Sequence, residues 1–405
     1  MNPWLQRRRC AALVLLGLPI LPASAFAAPG VAERWNDVFA ACVKVETLSP
    51  CLASRNLAIL HAAIHDAWHA GNDRHPPLLA RGAEALRAPV EPSRAAEAAG
   101  HAVCLHLFPS QSARLDAARL HVAAHADQSL GKAIAASALA ARAGDGATVR
   151  TPYIPQSGPG QWRRTTRNRP PELPHWGQVQ PFVLRTPQHL RPPPPPAPDS
   201  PEFARALREV EEWGGRESHR RTAHDEETAR FWSDFSYTST PPGHWNQIAR
   251  DVCRRQSVAE ADAVRLFALL NLALADAAIA AWDAKFAHHF WRPVTALQAT
   301  GRPSWTSLLP SPSHPEYVSG HACFSGAAAF ILGRWFPSAD AKGIRFQATS
   351  DALPGVVRIY DDFDACAREI SRSRVLAGIH FSFSGQAGLD LGRRVAEQVW
   401  ARHAE

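Results

Sequence analysis

Apolar residues recur at three- and four-residue intervals through most of the chain, and the strict alternation of half-buried strands is scarce. Residues 31–148 are alanine-rich with this helical period, as in Leu57–Trp68, Ser93–Leu107 and Ser112–Ala141. Leu266–Ala281 is apolar almost all round and carries only Asn271 and Asp276 as polar positions, which predicts a helix buried in protein rather than lipid. Helical patterning resumes near Glu202 and runs to the end.

Residues 151–201 break the period. They hold fifteen of the 34 prolines, including the run Pro192–Pro196. Proline removes a backbone donor and stiffens the chain, so an extended connector is expected there. Trp162, Trp176, Phe182 and Leu184 are interspersed. Such residues predict that the connector packs onto the helical body rather than floating as a linker. The expected fold class is all-α, with two helical bundles and this proline-rich extended connector. The expected boundaries are 1–27 for a signal peptide, 28–150 for an N-terminal helical region, 151–201 for the connector and 202–405 for a C-terminal helical catalytic region.

The first 27 residues read as a targeting signal. Arg7, Arg8 and Arg9 precede the apolar run Cys10–Leu21, and small residues follow up to Ala28. Cleavage is expected after Ala27, with a periplasmic or secreted product. The run is too short to span a bilayer. The arginines suit a twin-arginine route as well as an ordinary secretory one.

Composition sharpens this picture at two points. The net charge of +7 includes the three signal arginines, and no basic run with interleaved aromatics suggests a nucleic-acid partner. Of 44 basic residues only Lys44, Lys132, Lys285 and Lys342 are lysines, which makes each lysine informative. Six cysteines remain after Cys10, with Cys42 and Cys51 the best local pair for a disulfide in an oxidising compartment. His61, His65 and His69 stand at i, i+4 and i+8 of one expected helix, a spacing that suits a metal but specifies no distant further ligand.

Three clusters in the last third carry candidate chemistry. In Trp282–Pro293, Lys285 and Arg292 are seven apart, which on one continuous helix returns to nearly the same face. Two cations amid Phe and Trp are costly to bury without an anion. In His314–His321, Pro315 and Gly320 disfavour an earlier helix start, and Ser319 is a natural N-cap. The free amides at such a start, that of Gly320 above all, form an anion site, with His321 at its edge as acid or base. In Ser373–Phe381, a helix from about Asp362 is expected to end near Leu376, with Gly378 as C-cap. Arg374 and His380 are six apart, so the turn between them is what brings both to one point. Each cluster alone also has an ordinary structural explanation, as surface stripe, helix cap or dipole-complementing arginine.

In this order, Lys-x6-Arg-Pro, Ser-Gly-His and Ser-Arg-x5-His resemble the vanadium-dependent haloperoxidase and type 2 phosphatidic acid phosphatase superfamily. The likeness to bacterial haloperoxidase-like proteins extends to Leu52–Ala58, to Arg191–Pro196 and to Pro242–Asn246. The resemblance implies a tetrahedral oxyanion held by Lys285, Arg292, Arg374, the Ser319 hydroxyl and the Gly320 amide. It implies His380 bonded axially to the vanadium of vanadate, and His321 facing the opposite oxygen. Trp282 and His314 resemble supporting residues beside the vanadate pocket.

Vanadate as cofactor, with hydrogen peroxide, a halide and a small organic acceptor as partners, would make the chain a haloperoxidase yielding a hypohalous-acid-type species. Neither nucleic acid nor membrane is an expected partner, and the oligomeric state is open, a homodimer included. The same residues resemble the site of an exported acid phosphatase in which His380 is the nucleophile and His321 the general acid. A third reading is an oxyanion-binding protein without chemistry, against which the pair His321 and His380 argues. One departure stands out. Members often carry an acid four residues after the axial histidine, and here that position is Ser384. The expectation is that the other ring nitrogen bonds the Ser384 hydroxyl or a backbone carbonyl, leaving His380 a weaker nucleophile. Val318 replaces a frequent proline, with little effect expected.

Overall fold

The computed structural model describes residues 29–70, 75–80, 91–119, 126–165, 169–337 and 344–403. The expected signal peptide lies outside the described residues. Thirteen helices and one two-stranded antiparallel hairpin, Phe346–Thr349 with Val357–Tyr360, are seen among them.

Helix α9 (Glu260–His288) is the axis of the molecule. It is apolar on all sides and buried from Ala263 to Lys285 apart from Arg265, because other elements cover every face. Helices α2 (Pro50–Trp68), α11 (Gly320–Trp335) and α13 (Ser382–His403) pack directly on it. Helix α3 (Pro92–Leu107) and helix α5 (Ala126–Arg142) form a second layer on α2. The two sets of helices share one continuous core that runs from Val31 to Val399.

The α11–α13 contact is made by glycine. A Cβ on Gly392 would lie 1.9 Å from the Cys323 carbonyl, and one on Gly326 would lie 2.1 Å from the Leu389 carbonyl. No side chain fits between these backbones. The close approach carries α13 up to the start of α11, where the Ser319 amide donates to the Ser384 carbonyl at 3.1 Å.

The proline-rich segment wraps α9, as its aromatic residues predict. Trp162 and Trp176 are fully buried. Asp276, the acid inside the apolar helix, accepts the backbone amides of Phe182, Val183 and Leu184 at 2.6, 2.8 and 2.8 Å. A buried charge is thereby satisfied, and the connector is fixed against the helix.

Cys42 and Cys51 are both free and buried, so the expected disulfide is absent. Cys42 sits in the charge field of Glu46 and Arg114, whereas Cys51 faces Glu172 and Lys285. Nearness in sequence does not bring the two sulfurs to one place, because the helices carrying them turn them apart.

Candidate active site

Lys285 and Arg292 do not share a helix face. Helix α9 ends at His288, His289 takes a left-handed C-cap conformation (φ 51°), and Arg292 is the N-cap of the next helix, α10 (Pro293–Ala299). The break, rather than a seven-residue repeat, brings the two cations together. Both are fully buried.

All three donors of Lys285 Nζ are taken by carbonyls of one loop: Pro315 at 3.0 Å, Glu316 at 3.0 Å, and Val318. Arg292 holds the same loop through Nε, which donates to the His314 carbonyl at 3.0 Å. Its Nη1 donates to the Ile379 carbonyl at 2.8 Å and faces His380 Nε2 at 3.2 Å. Segment 314–318 therefore ties both cations to the site.

Ser319 N-caps α11 as expected, and its hydroxyl accepts the Ala322 amide. The Gly320 amide, at the first helical position, has no intrahelical acceptor. Trp282 lies 3.4 Å from where a Gly320 Cβ would be, so the indole packs directly beside this helix start. Helix α12 (Phe363–Leu376) ends as predicted, with Gly378 at φ 75°. The turn after it brings Arg374 and His380 to the same cavity.

That cavity has a volume of about 100 Å³. Its wall includes Trp282, His314, Gly320, His321, Arg374 and His380, six of the nine candidate residues. Lys285, Arg292 and Ser319 stand behind the wall. Arg374 is held by the Ala229 carbonyl (3.2 Å) and the Ser373 hydroxyl (3.0 Å), and its Nη1 lies 3.4 Å from His321 Nε2. His314 lies tilted on Trp282 with ring centroids 4.9 Å apart, and Arg292 Nη2 is 3.0 Å from its Nδ1.

Charge in the cavity is uneven. Burial lowers both Arg292 and Arg374 to about 10, so both guanidinium groups stay charged at neutral pH. Burial, reinforced by Arg374, lowers His321 to about 3. Burial and then Arg292 and Lys285 push His380 well below its usual value. Both imidazoles are neutral beside fixed cations. Arginine only donates, so His380 Nε2 must be the unprotonated nitrogen. By the same argument His321 Nε2 accepts from Arg374.

The protons of these rings sit on the far nitrogens. His380 Nδ1 meets Glu316 Oε1 at 2.7 Å, and the same oxygen accepts the Phe381 amide at 3.0 Å. Glu316 thus takes the place expected for the Ser384 hydroxyl or a backbone carbonyl, and Ser384 does not bond the ring. Its hydroxyl lies against the Glu316 carboxylate instead and helps to hold that carboxyl down. Burial dominates and raises Glu316 to about 7.

Residues 265–405 match the family model for the second helical-bundle domain of VCPO. The vanadium chloroperoxidase of Curvularia inaequalis is 29% identical over 209 residues, 38% of this chain and 34% of that protein. The vanadium-dependent bromoperoxidase of Corallina pilulifera is 31% identical over 93 residues, 21% of this chain and 16% of that protein. The chain thus spans about a third or less of the curated relatives it matches. A bacterial vanadium-dependent iodoperoxidase structure superposes with a TM-score of 0.81 at 26% identity, covering 93% of this chain and 97% of that one. The chain thus has the vanadium haloperoxidase fold, and its last third matches that family's second helical-bundle domain. A bacterial vanadium-dependent chloroperoxidase, at 18% identity and a TM-score of 0.67 over 88% of this chain and 93% of that one, shares the fold.

Several residues of this haloperoxidase-like site gave no signal in the sequence. Glu316 is one. Asp234 is another: it lines the cavity, and His244 Nδ1 lies 3.0 Å from its Oδ1. Burial pushes the Asp234 carboxyl up, but His244, His321 and Arg374 outweigh that and hold it below the usual range. Glu172 also faces the cavity, from the connector, and burial raises its carboxyl despite Arg169, Arg292 and Lys285. The resemblance at Pro242–Asn246 contained His244 without suggesting its partner.

The histidines of α2 do not form a metal centre. Among the described residues no group of three or more His, Cys, Asp or Glu is placed to hold a metal ion. His61 is fully buried, stacks on Phe267 at 5.1 Å and has no hydrogen-bond partner on either nitrogen.

Proposed function

We propose that this chain is a vanadate-dependent haloperoxidase that oxidises a halide with hydrogen peroxide. The observation that carries the reading is the state of His380. Its unprotonated Nε2 stands in the cavity wall beside Arg292, and the Gly320 amide and Arg374 open onto the same space. A neutral imidazole lone pair next to cations and a free helix-start amide suits an oxyanion whose central atom accepts a nitrogen ligand. The donor set fits vanadate on those grounds. His380 would ligate the vanadium, and Arg292, Arg374, Ser319 and the Gly320 amide would hold the oxygens. Lys285 would complete the charge after giving up one of its loop carbonyls. When bound, vanadate supplies a Lewis acid that activates peroxide toward halide.

The residues themselves bind, orient and handle protons. The overall reaction takes halide, hydrogen peroxide and one proton to hypohalous acid and water. His321 lines the cavity with its Nε2 lone pair unprotonated and is steadied by the Ser233 backbone, so it would take a proton from an incoming peroxide. Arg374, which leans on the same nitrogen, keeps the ring neutral until then. Pro50, Pro241, Pro310 and Pro312 line the cavity with Phe235 and Phe324. Those rigid apolar walls limit water around the charged groups, which strengthens each electrostatic contact. A small organic acceptor would meet the product at this cavity.

A second reading has a specific observation behind it. The Glu316 carboxylate orients His380, which removes the expected weakness of that ring as a nucleophile. An acid phosphatase with a phospho-histidine intermediate thus uses the same residues. A paired assay separates the two. Purified protein with orthovanadate, peroxide and bromide or iodide should halogenate a dye. The protein without vanadate should hydrolyse p-nitrophenyl phosphate slowly or not at all. Activity in the second arm alone would replace the first reading with the second.

A further inference from the structure

We infer that Glu316 is the positioning residue of this site, setting the tautomer and direction of His380 so that its Nε2 lone pair faces the cavity. The inference rests on the oxyanion reading above and adds a role to a residue 64 positions away in sequence.

Four observations combine. Glu316 and His380 are both buried, at 0% and 3% exposure, so water does not compete for the bond between them. Glu316 Oε1 takes the ring nitrogen and the Phe381 amide together, which fixes the carboxylate relative to the backbone at His380. On the other side of the ring, Arg292 Nη1 occupies Nε2 as a donor, so the ring proton has only the Glu316 side to reside on. Finally, Glu316 is itself anchored, since its own carbonyl accepts Lys285 Nζ at 3.0 Å. A carboxylate behind a ligating histidine fixes the tautomer and raises the basicity of the outward nitrogen.

The position that resembles the usual location of such an acid is Ser384. It is fully buried, and its hydroxyl has no hydrogen bond of good geometry. Glu316 Oε2 is likewise buried without a hydrogen bond of good geometry. The two groups lie against each other, so the loop-borne carboxylate has filled the place that an acid on the final helix would take. A carboxylate moved from 316 to 384 would approach the same ring.

The test compares two probe anions. Orthovanadate accepts a bond from an imidazole nitrogen, whereas inorganic phosphate is held by charges and amides alone. In Glu316→Gln, orthovanadate affinity should fall about ten- to a hundred-fold, the range found for loss of a ligand-orienting partner. Phosphate affinity should change by no more than about threefold. The double variant Glu316→Gln with Ser384→Asp should recover most of the vanadate affinity. Nitrogen-15 spectra of histidine-labelled vanadate-free protein, assigned with His380→Ala, should show Nδ1 protonated and Nε2 bare in the unmodified chain.

Equal weakening of both anions in Glu316→Gln would make the residue a general support and overturn the inference. So would a protonated Nε2 in the unmodified chain, a result that does not depend on Glu316→Gln folding. If the unmodified protein binds neither anion, the oxyanion reading itself fails, and the ring spectra alone then decide for or against Glu316.

Discussion

Arg191 grips Asp283 with a two-point fork, Nε to Oδ2 at 2.8 Å and Nη2 to Oδ1 at 2.9 Å. The arginine comes from the proline-rich connector and the aspartate from α9, two residues before Lys285. A charge-assisted pair of this geometry therefore ties the wrap to the helix end that delivers a cation to the site. Asp283→Asn should lower stability by about 1.5–3 kcal/mol, the range for hydrogen bonds to charged groups. Denaturant unfolding measures that loss. Arg191→Lys keeps the charge without the fork and should recover less than half of it.

Lys285 tests the loop. Its ammonium is wholly buried, and three carbonyls take its donors. A guanidinium is larger and planar, and it cannot meet three carbonyls around one nitrogen. Lys285→Arg should cost about 1–3 kcal/mol by overpacking and lose most orthovanadate binding. If Lys285→Arg retained full binding, the cation's point-like geometry would be irrelevant to the site.

His321 separates chemistry from binding. His321→Ala leaves Arg292, Arg374 and the Gly320 amide in place. Phosphate should therefore bind within about threefold of the parent, while turnover falls by about 10²–10⁴, the usual worth of a general acid or base. Unchanged turnover would favour a protein that only binds oxyanions.

Acid should unfold this protein through imidazoles that its packing keeps neutral. Burial lowers His61 and His321 to about 3 from an ordinary value of 6.5. Between those values the unfolded chain binds protons that the folded chain refuses. Stability is thus fully present above about pH 6.5 and falls as pH drops toward 3. The slope is about 1.4 kcal/mol per pH unit for each ring. His61→Phe should remove one ring's share of that slope in melts recorded from pH 4 to 7, because His61 serves as a stacking partner for Phe267.

The thiols should be inert while the chain is folded. Burial raises Cys42 to about 11 and Cys253 and Cys323 to about 12. A thiol reagent at pH 8 should label all six cysteines from Cys42 to Cys366 after denaturation and none of them before it. A mass consistent with a Cys42–Cys51 bridge would contradict the packing of these helices.

The site residues were legible where their signals were local. Ser319 before Gly320 is a cap by residue type, and Gly378 marks a helix end because glycine accepts positive φ. The order of the three motifs supplied the rest. The reading of Lys285 and Arg292 as one helix face failed for a local reason as well. His289 and the proline at 293 end one helix and begin another between them, and periodicity alone does not register such a break.

Glu316, Asp234 and Glu172 were invisible for the opposite reason. Each acts on a partner far away in sequence, and no period or spacing relates a loop carboxylate to a ring 64 residues later. The sequence by itself determined the helical class, the buried axis at 266–281, the wrapping connector and the cations and histidines available for chemistry. These follow from composition and short-range periodicity, which act within one element. The tertiary structure alone decided which nitrogen of His380 faces the cavity, where the Lys285 donors go and which thiols stay apart. Those outcomes depend on which helices pack together and which polar groups burial forces to find partners.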